Sequence, residues 1–192
     1  MGNRAVFLDR DGTINVEVDY LSRVEDFQFI PGAPLALKRL KDAGFLLIVV
    51  TNQSGIGRGY YDENALKAVH DHMHAELAAF GAGVDACYFC PHHPKHASGE
   101  YLKECDCRKP LPGMLLKAAR ELDIDLAASF MIGDKLADIE AGLKAGCTPL
   151  LVLTGYGSSQ VDELPEGVLA YTDLQLAADA ILSAEQGKTP GP

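Results

Sequence analysis

Val6-Phe7-Leu8-Asp9-Arg10-Asp11-Gly12-Thr13 decides how the rest of the chain is read. Ala5–Leu8 is a short apolar run and reads as a buried strand. Side chains alternate faces in extended chain, so Asp9 and Asp11 are expected to point the same way, with Cα atoms about 6–7 Å apart. Two carboxylates so placed repel each other unless a cation sits between them or one is protonated. Hard oxygen ligands suit Mg²⁺. Gly12 lets the chain turn after the pair. Taken alone, the segment reads sooner as a polar turn with a helix-capping Asp, and the other strand ends are what favour the functional reading. An EF-hand is excluded, because the glycine comes too early and no Glu follows at the required spacing.

Outward from this strand the chain alternates. Pro34–Ala43 reads as a helix stopped by Gly44, and Phe45–Val50 (FLLIVV) as a parallel strand covered on both faces. Asp62 caps a helix running to about Phe80. Ala86–Phe89, Phe130–Ile132 and Pro149–Leu153 are further strands, with a weak one near Ala170. Helices are expected from Pro112 to Leu122, from Lys135 to Ala145 before Gly146, and from Leu174 to Leu182. Residues 90–111 read as a loop, and the tail 186–192 as disordered. The pattern predicts an α/β fold, a three-layer Rossmann-like parallel sheet forming one domain over 1–185. Ligands of such sheets bind beyond the carboxyl ends of the strands.

Three other segments near such ends carry suitable chemistry. Thr51-Asn52-Gln53-Ser54 offers hydroxyl and amide donors ahead of Gly55, Gly57 and Gly59, which let backbone N–H groups approach a phosphate. It is neither a Walker loop nor a dinucleotide fingerprint, and alone it reads equally as a flexible loop. Arg108-Lys109 supplies cations that could bind phosphate oxygens, or two surface charges. In Gly133-Asp134-Lys135-Leu136-Ala137-Asp138, Gly133 is expected to loosen the strand end and Asp134 to be a third carboxylate or a helix cap. Asp138 shares a helix face with Asp134.

The 192 residues carry a formal net charge of −10 with a pI of about 4.9. Such a surface repels nucleic acid and anionic membrane, and a phosphate site on it needs concentrated local cations. No apolar run reaches the roughly 18–20 residues of a membrane span, Asp9 leaves no room for a signal-peptide core, and Val6 breaks a myristoylation motif at Gly2. A cytoplasmic monomer is expected. Five cysteines argue against a disulfide framework. Cys90, His92, Cys105 and Cys107 make a three-sulfur, one-imidazole set suited to tetrahedral Zn²⁺. Their C-x-H and C-x-C spacing is tighter than usual, so spacing alone leaves the matter open. His93 and His96 are read as unliganded. His70, His72 and His74 are expected on a solvated helix face rather than in a second metal site. Cys87 and Cys147 are expected to pack as small hydrophobes.

Together the four segments resemble the haloacid dehalogenase superfamily of phosphotransferases over nearly the whole chain. The resemblance implies Asp9 as nucleophile and Asp11 as general acid and base. It implies Mg²⁺ held by Asp9, the Asp11 carbonyl and Asp134, with Thr51 and Lys109 on the phosphoryl oxygens and Lys135 and Asp138 in support. Asp-Arg-Asp-Gly-Thr-Ile-Asn, Thr-Asn-Gln-Ser-Gly, Cys-Pro-His-His-Pro, Cys-Asp-Cys-Arg-Lys-Pro and Gly-Asp-Lys look like the heptose 1,7-bisphosphate 7-phosphatases, with histidinol-phosphate phosphatases as the alternative. That match implies a phosphorylated sugar as substrate, a place in lipopolysaccharide-core heptose metabolism, and structural zinc on Cys90, His92, Cys105 and Cys107. A non-enzymatic zinc-binding module would leave Asp9, Asp11 and Asp134 unexplained. Gly12–Ala33 is too short for a large cap domain, so the site is expected to be open, with selectivity from loops 17–20, 53–58 and 90–109. Tyr20, in Glu17-Val18-Asp19-Tyr20, is a candidate for substrate contact.

Overall fold

The computed structural model describes residues 2–186. Six parallel strands, β1 (Ala5–Leu8), β2 (Leu46–Asn52), β3 (Ala86–Cys90), β4 (Phe130–Gly133), β5 (Thr148–Val152) and β6 (Leu169–Tyr171), form one sheet in the order β3-β2-β1-β4-β5-β6. Leu8, the last residue of β1, is in register with Val49 of β2 and Ile132 of β4, so β1 and β4 end within a residue of each other while β2 runs on to Asn52. The strand order reverses between β1 and β4, and a crevice opens at such a point beyond the strand ends. Asp9 stands there.

The helices are α1 (Ala33–Asp42), α2 (Ser54–Gly57), α3 (Glu63–Ala79), α4 (Gly113–Leu122), α5 (Leu136–Ala145), α6 (Gly157–Gln160) and α7 (Leu174–Gln186). Alternation along β1 and β2 divides the core. Val6, Leu8, Leu47 and Val49 pack with α1, α3 and α7 through Leu37, Leu40, Met73, Leu77 and Ala177. Ala5, Phe7, Ile48 and Val50 pack with α4 and α5 through Met114, Leu115, Ala118 and Ala141. Burial on both faces accounts for the unbroken apolar runs of the central strands.

Most predicted elements appear within a residue or two. The differences have local causes. β2 continues to Asn52 because β3 pairs with it through Thr51 and Asn52. α7 runs four residues past Leu182, since Ser183–Gln186 contain no helix breaker before Gly187. Gln186, expected in a disordered tail, is therefore helical, and residues 187–192 lie outside the described residues. Cys90, expected in the loop, ends β3, and segment 91–111 is irregular apart from a 3-10 turn at Gly99–Tyr101. Between Gly12 and α1 the chain forms turns, a 3-10 turn at Val24–Asp26 and an isolated antiparallel bridge between Asn15 and Phe29.

Candidate active site and metal centres

Asp9 follows β1 directly, and its backbone N–H donates to Ile132 O of β4 (2.9 Å). One carboxylate oxygen from each of Asp9, Asp134 and Asp138 lies within 4.8 Å of the other two, and all three residues are buried. Lys109 is buried among them. Its Nζ is 3.0 Å from Asp9 Oδ1 and 2.6 Å from Asp138 Oδ1, and donates to Val50 O at 2.7 Å. Burial opposes the lysine charge, but Asp138 and Asp9 outweigh it and raise its pKa. Asp138 also accepts from Lys135 N–H at the start of α5 (3.0 Å). Gly133 does not loosen the strand end as expected. It makes room: a Cβ there would stand 2.2 Å from Asp138 Oδ2.

Asp134 Oδ2 accepts from Tyr156 N–H at 2.8 Å, while its Oδ1 is buried without a hydrogen-bond partner among the described residues. Burial, then the charge of Asp9, pushes this carboxyl up to about 7. Gly12 (φ +86°) and Gly155 (φ +55°) close over it, and a Cβ on either would lie 2.2 Å from Asp134 Oδ2. Hard oxygens crowded together with one left unpaired make a donor set that fits a divalent cation such as Mg²⁺.

Asp11 does not join this cluster through its carboxylate, contrary to the picture of two aspartates around one cation. β1 ends at Leu8, and the chain then coils, with Ile14 N–H on Arg10 O (2.8 Å) and Gly12 N–H on Asn15 O (2.8 Å). Alternation along a strand therefore does not orient Asp11. Its oxygens accept from Arg10 Nε (3.2 Å), from Arg10 Nη2 at both oxygens (2.9 Å each), from Asn15 Nδ2 (3.0 Å) and from Gln53 Nε2 (2.9 Å). Arg10 is completely buried. Burial pushes the Asp11 carboxyl up, but the Arg10 charge and the bonds from Asn15, Arg10 and Gln53 hold it below its ordinary value.

At the end of β2, Thr51 is buried and its Oγ1 accepts from Gln53 Nε2 (2.8 Å). Asn52 is spent on positioning. Its amide donates to Lys109 O (3.0 Å) and accepts from Lys109 N–H (3.1 Å), which ties loop 90–109 to the strand. Asp9, Asp11, Thr51 and Lys109 line a cavity of about 280 Å³, as do Asn52, Gln53 and Ser54. Tyr20 and Lys135 stand on its other walls. Tyr20 is held at φ +58° with its ring edge-on to Tyr60. Lys135 Nζ pairs with Glu17 (3.0 Å) and lies 4.7 Å from the centre of the Tyr156 ring. Arg108 is not among the lining residues, and its Nη1 donates to His92 O at 3.3 Å.

The second cluster is Cys90, His92, Cys105 and Cys107. Sγ–Sγ distances are 3.6 Å (Cys90–Cys105) and 3.4 Å (Cys105–Cys107), and His92 Nδ1 lies 3.7 and 3.4 Å from Cys90 and Cys107 Sγ. A tetrahedron of Zn–S bonds of about 2.3 Å has edges of about 3.8 Å. The donor set and its spacing thus fit zinc. The thiols share charge: Cys107 is drawn down to about 5, chiefly by its bond with Cys90, while Cys90 is pushed up. His93 Nδ1 instead accepts from Lys95 and His96 N–H.

The three histidines of α3 correct an expectation. They are not a solvated face. His70 is buried, His74 Nε2 is 3.8 Å from Cys87 Sγ, and the His72 ring is edge-on to Phe27. His72 and His74 meet different neighbours because α3 lies against both loop 12–33, through Phe27, and β3, through Cys87. Cys147 is buried and Cys87 packs against the core, as expected. Sequence reasoning missed Arg10, Asn15, Tyr61, Gly155 and Tyr156. Only Arg10 and Asn15 carried a signal, since they adjoin the aspartate pair. Nothing local marks the other three.

A family model for HAD-hydrolase-like proteins matches residues 106–177. A D-glycero-beta-D-manno-heptose-1,7-bisphosphate 7-phosphatase of Photorhabdus laumondii is 53% identical over 155 residues, 80% of this chain and 82% of that one. The enzyme of that name from Escherichia coli K12 is 49% identical over 79% of this chain and 80% of its own. The crystal structure of D,D-heptose 1,7-bisphosphate phosphatase from B. bronchiseptica, complexed with magnesium and phosphate, matches with a TM-score of 0.87 at 40% identity, covering 94% of this chain and 99% of that one. The corresponding structure from Burkholderia thailandensis gives 0.71 at 38% identity over 94% and 99%.

Proposed function

The chain belongs to the heptose 1,7-bisphosphate 7-phosphatases of the haloacid dehalogenase-like hydrolases, and from that premise we propose that it removes the C7 phosphate of D-glycero-β-D-manno-heptose 1,7-bisphosphate with Asp9 as nucleophile. The observation that carries the assignment is the convergence of Asp9, Asp134 and Asp138 around Lys109 at the switch point of the sheet. A nucleophilic carboxylate needs a neighbouring cation to meet a phosphate dianion, and Lys109 is 3.0 Å away.

Asp9 attacks phosphorus, and the bond from phosphorus to the C7 oxygen breaks as that oxygen takes a proton from Asp11. Water then attacks the aspartyl phosphate, gives its proton to Asp11 and releases inorganic phosphate, restoring Asp9. The lowered Asp11 carboxyl suits the second half, where it is a base. In the first half the charge of the incoming phosphate raises it. Thr51 Oγ and Lys109 Nζ, both on the cavity wall, bind the transferring oxygens.

Asp9, Asp134 and the Asp11 carbonyl would hold Mg²⁺, which supplies charge neutralisation for the phosphoryl group. Cys90, His92, Cys105 and Cys107 would hold Zn²⁺. All four positions of that site are protein atoms, so its work is structural: it pins the loop that delivers Lys109.

The test is phosphate release from both anomers of heptose 1,7-bisphosphate, histidinol phosphate and common sugar phosphates, with Mg²⁺ and then with chelator. Preference for the β-anomer, abolished by chelator, is expected. Preference for histidinol phosphate would overturn the substrate, and no hydrolysis by folded, metal-loaded protein would overturn the catalytic assignment.

A further inference from the structure

Tyr61 belongs to none of the motifs, yet it ends a chain of bonds that begins at the proposed acid–base. We infer that Tyr61 is a positioning residue for phosphoryl transfer, acting through the Gln53 amide on Asp11. The inference rests on the reading of Asp11 as general acid and base.

The Tyr61 hydroxyl donates to Gln53 Oε1, and Gln53 Nε2 donates to both Asp11 Oδ2 (2.9 Å) and Thr51 Oγ1 (2.8 Å). One amide therefore sets the distance between the group that moves the proton and a group that binds the phosphoryl oxygens. A carboxamide has the same outline either way round, and inverted it would place Oε1 against the Asp11 carboxylate and lose the donation to it. A phenol donating to Oε1 selects the working orientation. Burial pushes the Tyr61 hydroxyl up to about 12, which keeps it a donor.

Both ends of the chain are fixed by backbone. Gln53 N–H donates to Cys90 O (2.8 Å). Tyr61 directly precedes Asp62, whose carboxylate caps α3 by accepting from Ala65 N–H (2.8 Å). The ring reaches Gln53 over Gly55, where a Cβ would stand 2.2 Å from Tyr61 Cε1. Loop 53–61 is thereby shaped to seat this ring against this amide.

The test exploits leaving-group chemistry. kcat/KM covers steps through departure of the leaving group. The sugar alkoxide must be protonated to leave, whereas 4-nitrophenolate leaves without a proton. Tyr61→Phe is expected to lower kcat/KM for heptose 1,7-bisphosphate about tenfold, the effect of losing one buried hydrogen bond. For 4-nitrophenyl phosphate the change is expected below about twofold, with the sugar-phosphate KM little altered. Asp11→Asn is the control, with a larger loss of the same selectivity. If Asp11→Asn slows both substrates alike, the acid–base reading falls. If Asp11→Asn is selective but Tyr61→Phe slows both substrates equally, accelerates either or changes neither, the positioning inference is overturned.

Discussion

The acidic centre and the cysteine cluster are neighbours joined by one loop, but they are built in opposite ways. Cys90, His92, Cys105 and Cys107 come from 18 consecutive residues of largely irregular chain. Asp9, Lys109, Asp134 and Asp138 come from segments up to about 130 residues apart, brought together because β1, β2 and β4 lie side by side in the sheet. The first site is local chain closed on itself, and its shape should depend on a bound metal. The second is held by a sheet buried on both faces and should keep its shape without one. Lys109 connects them: Asn52 grips its backbone, and its ammonium lies between Asp9 and Asp138.

The largest expected effect tests the acidic side. Asp9→Asn should reduce turnover by on the order of 10⁴-fold or more while circular dichroism stays native. Retained turnover would remove the nucleophile. Cys107→Ala should lose zinc, lower stability by several kcal/mol and weaken phosphate binding through the freed Lys109. Hydrogen exchange should rise across residues 90–109 while β1 and β4 stay protected. Uniform loss of protection would break the contrast between local and sheet-held sites.

Smaller effects follow from burial. The Asp134 carboxyl ionises near 7 in the fold and near 3.9 in the unfolded chain, so between those values the folded state holds the extra proton. Metal-free protein should therefore lose stability as pH rises through that window, by a few kcal/mol at most, and Mg²⁺ should restore most of it. Thermal melts at pH 5 and 8, with and without Mg²⁺, read this directly. His70 has the opposite sign. Burial, aided by Arg10, drops it to about 4, so the unfolded chain takes up a proton first as pH falls below about 6.5. His70→Gln should flatten the loss of stability between pH 6.5 and 4, an effect of at most about 3 kcal/mol in the parent.

How much could be read in advance follows the same division. The strands were legible because burial on both faces demands continuous apolar runs, and the helix starts because Asp62 and Pro112 cap or open them. The cysteine cluster was legible as a candidate because its residues are close in the chain, although their tight spacing left the metal open until the family resemblance was added. His70 was misread because helical spacing shows which residues share a face but not what that face meets. Arg10 was passed over because a charged side chain is expected outside, whereas here it is completely buried and paired with the Asp11 carboxylate.

By itself, then, the order of residues determined the parallel sheet and the acids beyond its strand ends, because these are written in local pattern, and it drew Cys90, His92, Cys105 and Cys107 together as a candidate set through their closeness in the chain and the family resemblance. Tertiary structure alone decided that Asp138 and not the Asp11 carboxylate joins Asp9 and Asp134, that Arg108 lies off the cavity wall, and that Tyr61 reaches Asp11 through Gln53. Those outcomes depend on where the chain goes after each strand stops, and there packing between distant segments outweighs any local rule.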